Sequence, residues 1–270
     1  MLKSRVKMQE TIIKNKLVIT PLPAFTDNYI WTLQNQTSCV VVDPGDADVV
    51  LAYLKENNLE LETILITHHH PDHTGGIAKL VEKFPFTSVF GPKDSRIPHI
   101  TQEVVENQKV FLNEIEMIFN VKALPGHTLD HIMYEGHGVM FSGDVLFSAG
   151  CGRIFEGTPK QMLHSIDTFF NYPDDTLIYC THEYTLANIE FALTVEPNNK
   201  NLKDFKFWVQ RQRDNGFPTI PTNIAEQKKI NPFMRLDSLD DIALCEAKTG
   251  KRNLDRVELF TTLRTAKDNF

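Results

Sequence analysis

The sequence predicts an α/β body followed by a helical C-terminal part, and two observations support this fold class. Before residues 182–186, short apolar runs rich in β-branched residues alternate with turn signals and with helical periods. After that point the pattern consists of helix-like segments separated by Pro and Asn. With 270 residues, 41% of them apolar and 23% charged, the chain can form one sizeable core with a smaller unit attached. We therefore expect one domain over residues 1–183 and a second over residues 184–270.

Six apolar runs in the first part are predicted to be strands: residues 17–20, 30–33, 39–42, 63–66, 89–90 and 117–123. Between them, residues 49–56 and 77–84 have helical periodicity, and Asp46 or Asp48 is a candidate N-cap of the first helix. In the second part, helices are predicted over residues 186–195, 202–213, 224–228 and 257–266, with no strand among them. This change of pattern defines the predicted boundary.

The charge distribution limits the choice of partner. A net charge of −7 disfavours a broad nucleic-acid interface, because such binding depends on neutralising many phosphates. Residues 186–270 carry 14 Lys and Arg against 12 Asp and Glu, whereas the remainder carries 14 against 23. This asymmetry favours a small anionic ligand, bound where the acidic body meets the mildly basic C-terminal part, and no nucleic acid.

Residues 1–16 are charged and lack the apolar run of a signal peptide, and no apolar stretch long enough to span a membrane occurs elsewhere. The cysteines lie far apart without a C-x-x-C pair, which is typical of reduced thiols rather than of a disulfide framework. We expect a cytoplasmic, monomeric protein without a membrane segment.

The densest cluster of chemically active side chains is the segment THHHPDH at residues 67–73, directly after a predicted strand. Pro71 predicts a loop there rather than a helix. In an extended stretch His68 and His70 point to one side and His69 to the other. So many potential ligands after a buried strand would be costly without a cation to pair them. The segment therefore predicts a metal site.

Three later loops, PGHT, SGD and THE, each follow a predicted strand and add one potential ligand each. The complete predicted set is His68, His70, Asp72, His73, His127, Asp144 and His182. Seven ligands exceed the three or four that one catalytic zinc takes, so we expect two divalent metal ions per chain. The ligand chemistry suits Zn²⁺ first, and also Fe²⁺ or Mn²⁺. The remaining histidines are interpreted as structural, with His131 close to the site.

The pattern T-H-x-H-x-D-H, followed by the downstream His, Asp and His, resembles the metallo-β-lactamase superfamily. The resemblance implies an αββα sandwich of two mixed sheets with a binuclear site at one edge. It implies one ion held by His68, His70 and His127. It implies a second held by Asp72, His73 and His182, with Asp144 bridging, and catalytic roles for Asp72 and Asp144.

The flanking segments narrow the resemblance to the hydroxyacylglutathione hydrolases, also called glyoxalase II. These segments are PAFTDNYIW at residues 23–31, VDPGD at 42–46, GCGRIFEGT at 150–158, HEYT at 182–185 and NPFMR at 231–235. They imply hydrolysis of S-D-lactoylglutathione and related 2-hydroxyacylglutathiones to glutathione and D-lactate, the second step of methylglyoxal detoxification.

The same resemblance implies that Arg153, Tyr184 and Arg235 hold the glutathione moiety of the substrate. Phe155 is a further predicted contact, at a position where some members carry tyrosine. Ser238 stands where some members carry lysine, and Asp130 replaces the glycine of the usual G-H-T-x-G-H segment. Guanidinium groups suit this role because they bind carboxylates in a bidentate way.

Three other functions are possible for a chain with this ligand pattern. A persulfide dioxygenase, an oxidoreductase with a single iron on this fold, would need only His68, His127 and Asp144. The second ligand set and the glutathione segments disfavour it. An RNA-processing nuclease is disfavoured by the acidic charge balance, and an inactive binding module by the completeness of the ligand set. A thioester suits the site, because a leaving thiolate needs little help from a general acid.

Overall fold

The structure is a computed structural model, which describes residues 11–13 and 17–270. Its first sheet contains β1 (Thr11–Ile13), β2 (Leu17–Ala24), β3 (Asn28–Gln34), β4 (Ser38–Val42), β5 (Glu60–Leu65), β6 (Ser88–Gly91) and β7 (Gln102–Glu103), adjacent in chain order. Neighbours from β1 to β4 are antiparallel, and those from β4 to β7 are parallel. It is therefore a mixed sheet.

A second mixed sheet contains β8 (Lys109–Leu112), β9 (Met117–Ala123), β10 (Ile132–Gly136), β11 (Val139–Gly143), β14 (Leu177–Cys180) and β15 (Thr222–Asn223). The strand order is β15-β14-β11-β10-β9-β8, and only the pair β11 and β14 is parallel among these described strands. Between β11 and β14 in sequence, β12 (Leu146–Phe147) and β13 (Gly150–Cys151) form a separate antiparallel pair.

The described α-helices are α1 (Ala47–Asn57), α2 (Pro71–Thr74), α3 (Ile77–Lys83), α4 (Pro159–Thr168), α5 (Thr185–Val195), α6 (Lys200–Asp214), α7 (Ile224–Ile230), α8 (Leu239–Thr249) and α9 (Arg256–Asp268). Short 3₁₀ turns cover Asn113–Ile115, Phe169–Asn171 and Pro232–Met234. Within this described part of the chain, no helix combines the length and the apolar character needed to cross a membrane.

The inner faces of the two sheets enclose one apolar cluster. Trp31 of β3 lies in it with Phe119, Phe141 and Tyr179 of the second sheet. The rings of Trp31 and Tyr179 meet edge to face with centroids 4.8 Å apart. The indole N–H of Trp31 donates to the carbonyl oxygen of Cys180 at 3.0 Å, so its polar atom is satisfied inside the core.

Helices cover the outer face of each sheet. Val50 of α1 and Leu80 of α3 pack with Ile64 of the first sheet. On the other side, Ile166 of α4 and Phe260 of α9 share a cluster with residues of the second sheet. The architecture is thus the four-layer αββα sandwich expected from the resemblance, followed by C-terminal helices that share its core.

The predicted strands and helices are present, mostly longer than predicted. Asp46 is the N-cap of α1, where its carboxylate accepts from the backbone N–H of Asp48 at 2.9 Å. The prediction that the C-terminal part lacks strands was wrong, because Thr222–Asn223 pairs with Leu177–Ile178 of β14. A two-residue strand has no periodicity of its own, so only the exposed edge of the sheet defines it.

Candidate metal centre

Five of the seven predicted ligands lie in loops that follow the carboxyl ends of strands, and the other two lie in a one-turn helix. His68 and His70 follow β5, and His127 follows β9. Asp144 follows β11 and His182 follows β14, which run parallel as neighbours. Because parallel strands end at the same edge of a sheet, these last two side chains start close together. The sheet edge therefore assembles ligands that are far apart in sequence.

Pro71 does not exclude a helix, contrary to the prediction. It is the first residue of the one-turn helix α2, with His70 as its N-cap. Proline is well tolerated at this position, because its missing N–H would have no partner inside the helix and its φ angle is already suitable. Asp72 and His73 are thus presented by a helical turn, while His68 and His70 remain in the preceding loop.

The first ligand group is His68, His70 and His127, whose ring nitrogens converge. Nδ1 of His70 lies 3.1 Å from Nε2 of His68 and 3.0 Å from Nε2 of His127. Nitrogens at the corners of a tetrahedral zinc site are separated by about 3.3 Å, given Zn–N bonds of about 2.0–2.1 Å. The spacing of these three nitrogens therefore fits a single divalent ion.

The second group is Asp72, His73 and His182. Oδ2 of Asp72 lies 3.4 Å from Nε2 of His73 and 3.4 Å from Nε2 of His182. Asn28 donates to the same oxygen at 2.9 Å and orients the carboxylate. A site for a single iron ion would not need this second group of ligands.

Asp144 lies between the two groups. Its Oδ2 is 3.5 Å from Nε2 of His127 and 3.2 Å from Nε2 of His182, while its Oδ1 is 3.6 Å from Nε2 of His73. Nε2 of His73 and Oδ1 of Asp144 are buried and have no hydrogen-bond partner among the described residues. Buried polar atoms are rarely left in this state. The seven residues therefore fit a pair of metal ions, with Asp144 shared between them.

Three of the ligand histidines also have a hydrogen-bond partner at the ring nitrogen that points away from the other ligands. Nδ1 of His73 is 3.0 Å from Oδ2 of Asp43, and Nδ1 of His182 is 2.8 Å from Oδ1 of Asp27. Nδ1 of His127 is 2.7 Å from the carbonyl oxygen of Arg153. Such partners fix the tautomer and the ring orientation of a metal ligand. Asp27 and Asp43 lie in the segments PAFTDNYIW and VDPGD, but nothing in their local pattern predicted a contact to a ligand histidine.

The electrostatics of the two groups differ. Burial, followed by the neighbouring His127, lowers the pKa of His70 to about 4. Burial opposes charge on His182, yet Asp144, Asp27 and Asp72 raise its pKa well above the usual value. Burial likewise opposes charge on Asp144, but His182 and His73 hold its pKa well below normal. Protonated His73 and His182 thus balance the charge of the neighbouring carboxylates, and a metal ion that binds there would replace these protons.

Two glycines allow close backbone approach at the site. A side chain at Gly45 would collide with the carbonyl oxygen of Asp72, and one at Gly152 with that of Asp144. His131 is buried beside the first group, and its Nε2 accepts from the backbone N–H of Asp144 at 3.0 Å. His131 therefore supports Asp144 without lying in either ligand group, as the sequence analysis expected.

The ligands open into a cavity of about 510 Å³. Its wall contains His70, Asp72, His127, Asp144, Phe147, Cys151, Gly152, Arg153, Phe155, His182, Tyr184, Ala187, Asn188, Arg264 and Lys267. The ring of Tyr184 stacks on His182 with centroids 4.6 Å apart, and Phe155 stands edge-on to His70 at 5.4 Å. A larger cavity of about 580 Å³, on the other side of α9, contains none of the ligand residues.

Arg264 and Lys267 of α9 were missed by the sequence analysis. Their only sequence signal is the spacing of three residues, which puts two cations on one helix face. Arg264 is buried and donates to the carbonyl oxygen of Cys151 at 2.7 Å. The ammonium of Lys267 lies 5.3 Å from the centroid of the Phe191 ring. Both cations face the cavity together with the predicted Arg153 and Tyr184.

Arg235, by contrast, does not line this cavity. Its Nε donates to both carboxylate oxygens of Glu196, at 2.9 and 3.1 Å, and its Nη1 donates to the carbonyl oxygen of Lys228. Glu196 is fully buried, so this arginine balances an interior charge. Ser238 is the N-cap of α8, which gives it a local structural role as well.

The fold and the two ligand groups define a class of metalloprotein. A family model described as "Metallo-beta-lactamase superfamily" matches residues 25–182, which places the chain in that superfamily. A second model, "Hydroxyacylglutathione hydrolase C-terminus", matches residues 183–270.

Similar proteins narrow the assignment. A hydroxyacylglutathione hydrolase from Vibrio campbellii is 50% identical over 256 residues, covering 94% of this chain and 100% of that protein. One from Nitrosomonas eutropha is 42% identical and covers 93% of this chain and 98% of that protein. The chain belongs to the hydroxyacylglutathione hydrolase family. The crystal structure of ETHE1 from Myxococcus xanthus matches with a TM-score of 0.61 over 96% of both chains, but at 23% identity this shows the fold alone.

Proposed function

We propose that this protein is a binuclear-metal thioester hydrolase that converts S-D-lactoylglutathione, and related 2-hydroxyacylglutathiones, with water into glutathione and the free 2-hydroxy acid. The observation that carries the proposal is the position of Asp144 between two ligand groups that line one cavity. The same cavity is lined by Arg153, Arg264 and Lys267, which we call the cationic wall. The family membership supports the same substrate class. The alternative of a persulfide dioxygenase has no comparable support.

We further propose Zn²⁺ as the preferred ion at both positions. The first position would use His68, His70 and His127, and the second Asp72, His73 and His182. Asp144 lies between these two groups. When bound, two such ions supply Lewis-acid activation of water and of the thioester carbonyl. Histidine and carboxylate ligands suit zinc and do not exclude Fe²⁺ or Mn²⁺.

The residues of the chain complete the reaction. Asp72 is partly exposed at the cavity and its carboxylate is oriented by Asn28, so it can orient the attacking water. The leaving group is a thiolate, which needs little protonation in order to depart. Cys151 is not the nucleophile, because burial raises its pKa to about 11.

The cationic wall is suited to the glutathione part of the substrate. Arg153, Arg264 and Lys267 can pair with its carboxylates, and Tyr184 and Phe155 offer aromatic surface at the cavity. We assign Arg235 to the ion pair with Glu196 instead of to the substrate. Substrate recognition therefore involves α9 rather than the NPFMR segment.

Hydrolysis by metal-defined protein tests the proposal. Protein reconstituted with Zn²⁺ should release free thiol from S-D-lactoylglutathione, and a lactoyl thioester of N-acetylcysteamine, which lacks the glutathione carboxylates, should be a poor substrate. His164→Asn, an exposed histidine of α4, is the matched control and should retain full activity. Equal rates with both thioesters would refute the glutathione assignment and leave the metal-hydrolase assignment intact.

A further inference from the structure

Asp268, at the end of α9, is an acidic side chain that the proposed reaction does not use, and it contacts two arginines of the cationic wall from outside the cavity lining. Its Oδ1 accepts from Nε of Arg153 at 3.1 Å and from Nη2 of Arg264 at 3.1 Å. Arg153 belongs to the segment after β13, and Arg264 belongs to α9. One carboxylate oxygen therefore joins two guanidinium groups from the two parts of the chain.

The two arginines depend on Asp268 to different extents. Arg264 is buried and has a second anchor on the carbonyl oxygen of Cys151, at 2.7 Å. The side chain of Arg153 is 55% exposed, and Asp268 is the only partner of its guanidinium among the residues that the structure describes. Removal of the Asp268 carboxylate would thus release Arg153 and leave Arg264 in place.

We propose that Asp268 is a positioning residue, which holds the Arg153 guanidinium at the cavity so that a substrate carboxylate meets an ordered cation. The proposal rests on the proposed function, since it assumes a glutathione-type ligand. A free arginine side chain has many rotamers, and its immobilisation on binding opposes the affinity. Asp268 removes that cost in advance, because it holds the guanidinium before the ligand arrives.

Asp268 also has an opposing effect, since its negative charge repels the carboxylates of an incoming ligand. The side chain is 33% exposed and shares its oxygen with two cations, so this repulsion is screened by solvent and by the arginines. With Arg153, Arg264 and Lys267 nearby, the wall keeps a net positive charge despite Asp268. We therefore expect the ordering of Arg153 to outweigh the repulsion.

A double-mutant cycle tests this inference. Asp268→Asn, Arg153→Ala and the double variant are compared with the wild type for KM and kcat with S-D-lactoylglutathione. Asp268→Asn should raise KM by about 2- to 10-fold, the range for ordering one long side chain, with little change in kcat. In the Arg153→Ala background the same substitution should have no further effect. Asp268→Glu should recover part of the loss.

Binding of S-hexylglutathione, measured by calorimetry on the same four proteins, repeats the cycle with a ligand that has no thioester. Asp204→Asn is the control, because Asp204 pairs with Lys200 in α6, and Lys200, unlike the arginine partners of Asp268, does not line the cavity. A lower KM or dissociation constant in Asp268→Asn would make Asp268 a competitor of the substrate and overturn the inference. An undiminished loss in the Arg153→Ala background would also overturn it. Binding without hydrolysis would instead refute the proposed function.

Discussion

The metal centre and the cationic wall lie in one cavity, but they are held in different ways. His68, His73 and Asp144 are buried, and their loops are fixed by strand ends and by hydrogen bonds to further buried groups. On the wall, Lys267 and Arg153 lie on a helix end and in an irregular segment, and both are partly solvated. The metal centre is therefore fixed by buried strand ends, whereas the wall depends on the docking of α9.

The largest effect should come from a change at the metal centre. Asp144→Asn removes the negative charge that faces His73, His127 and His182. We expect kcat to fall by more than the ~10–100-fold that is typical for loss of an outer partner of a metal site, with metal content falling as well. Metal analysis and steady-state kinetics on the folded variant check this. A variant that keeps its full metal content and its activity would show that Asp144 is only a turn residue.

A change on the wall should have a smaller effect of a different kind. Lys267→Met removes one cation and keeps most of the apolar side chain. We expect KM to rise by about 10-fold, which corresponds to roughly 1.4 kcal/mol, near the lower range for a hydrogen bond to a charged group. The metal content and kcat should not change, because the interaction is made equally in the ground state and the transition state. A fall in kcat at constant KM would place Lys267 in the chemical step.

Arg235→Ala should alter stability and leave the reaction nearly unchanged. The substitution leaves the buried Glu196 without its guanidinium, at a cost of about 1–3 kcal/mol, reduced from the value for a fully buried pair because Arg235 is 31% exposed. Thermal unfolding should therefore occur at lower temperature, while KM for the acylglutathione stays within about twofold of wild type. A large rise in KM without destabilisation would return Arg235 to the substrate-binding residues.

The smallest effect concerns the pH dependence of stability in the helical part. Both carboxylate oxygens of Asp241 are buried, and neither has a hydrogen-bond partner in the part of the chain that the structure describes. Burial, followed by Glu196, raises the pKa of Asp241 to about 8. In the unfolded chain the pKa is near 3.9. Between these values the folded state retains a proton that the unfolded state has lost, so this group lowers the stability as the pH rises from about 4 to about 8.

Asp241→Asn should therefore reduce the difference in Tm between pH 5 and pH 8. The comparison is made at constant ionic strength, with Asp175→Asn at an exposed position outside α8 as the control. If both variants keep the wild-type difference, Asp241 is ionised in the folded protein at neutral pH.

The sequence by itself determined the α/β body, the positions of its predicted strands and the set of residues that converge as two ligand groups. These are local properties: apolar periodicity specifies strands, and THHHPDH concentrates ligands within one loop. The sequence did not predict the one-turn helix at Pro71, because proline interrupts a helix in its interior but is favoured at its first position. Contacts with the surrounding structure decide which of these two cases applies.

Only the tertiary structure decided which cations face the cavity beside the metal ligands. Arg153, Arg235 and Arg264 are chemically equivalent in the sequence, yet one pairs with Glu196 away from the cavity and two line its wall. The short strand at Thr222–Asn223 likewise exists because the edge of β14 is available to pair with it. The physical reason is the same in each case: the position of a side chain on a docked helix, or of a strand at a sheet edge, depends on contacts between residues distant in sequence, which local periodicity does not record.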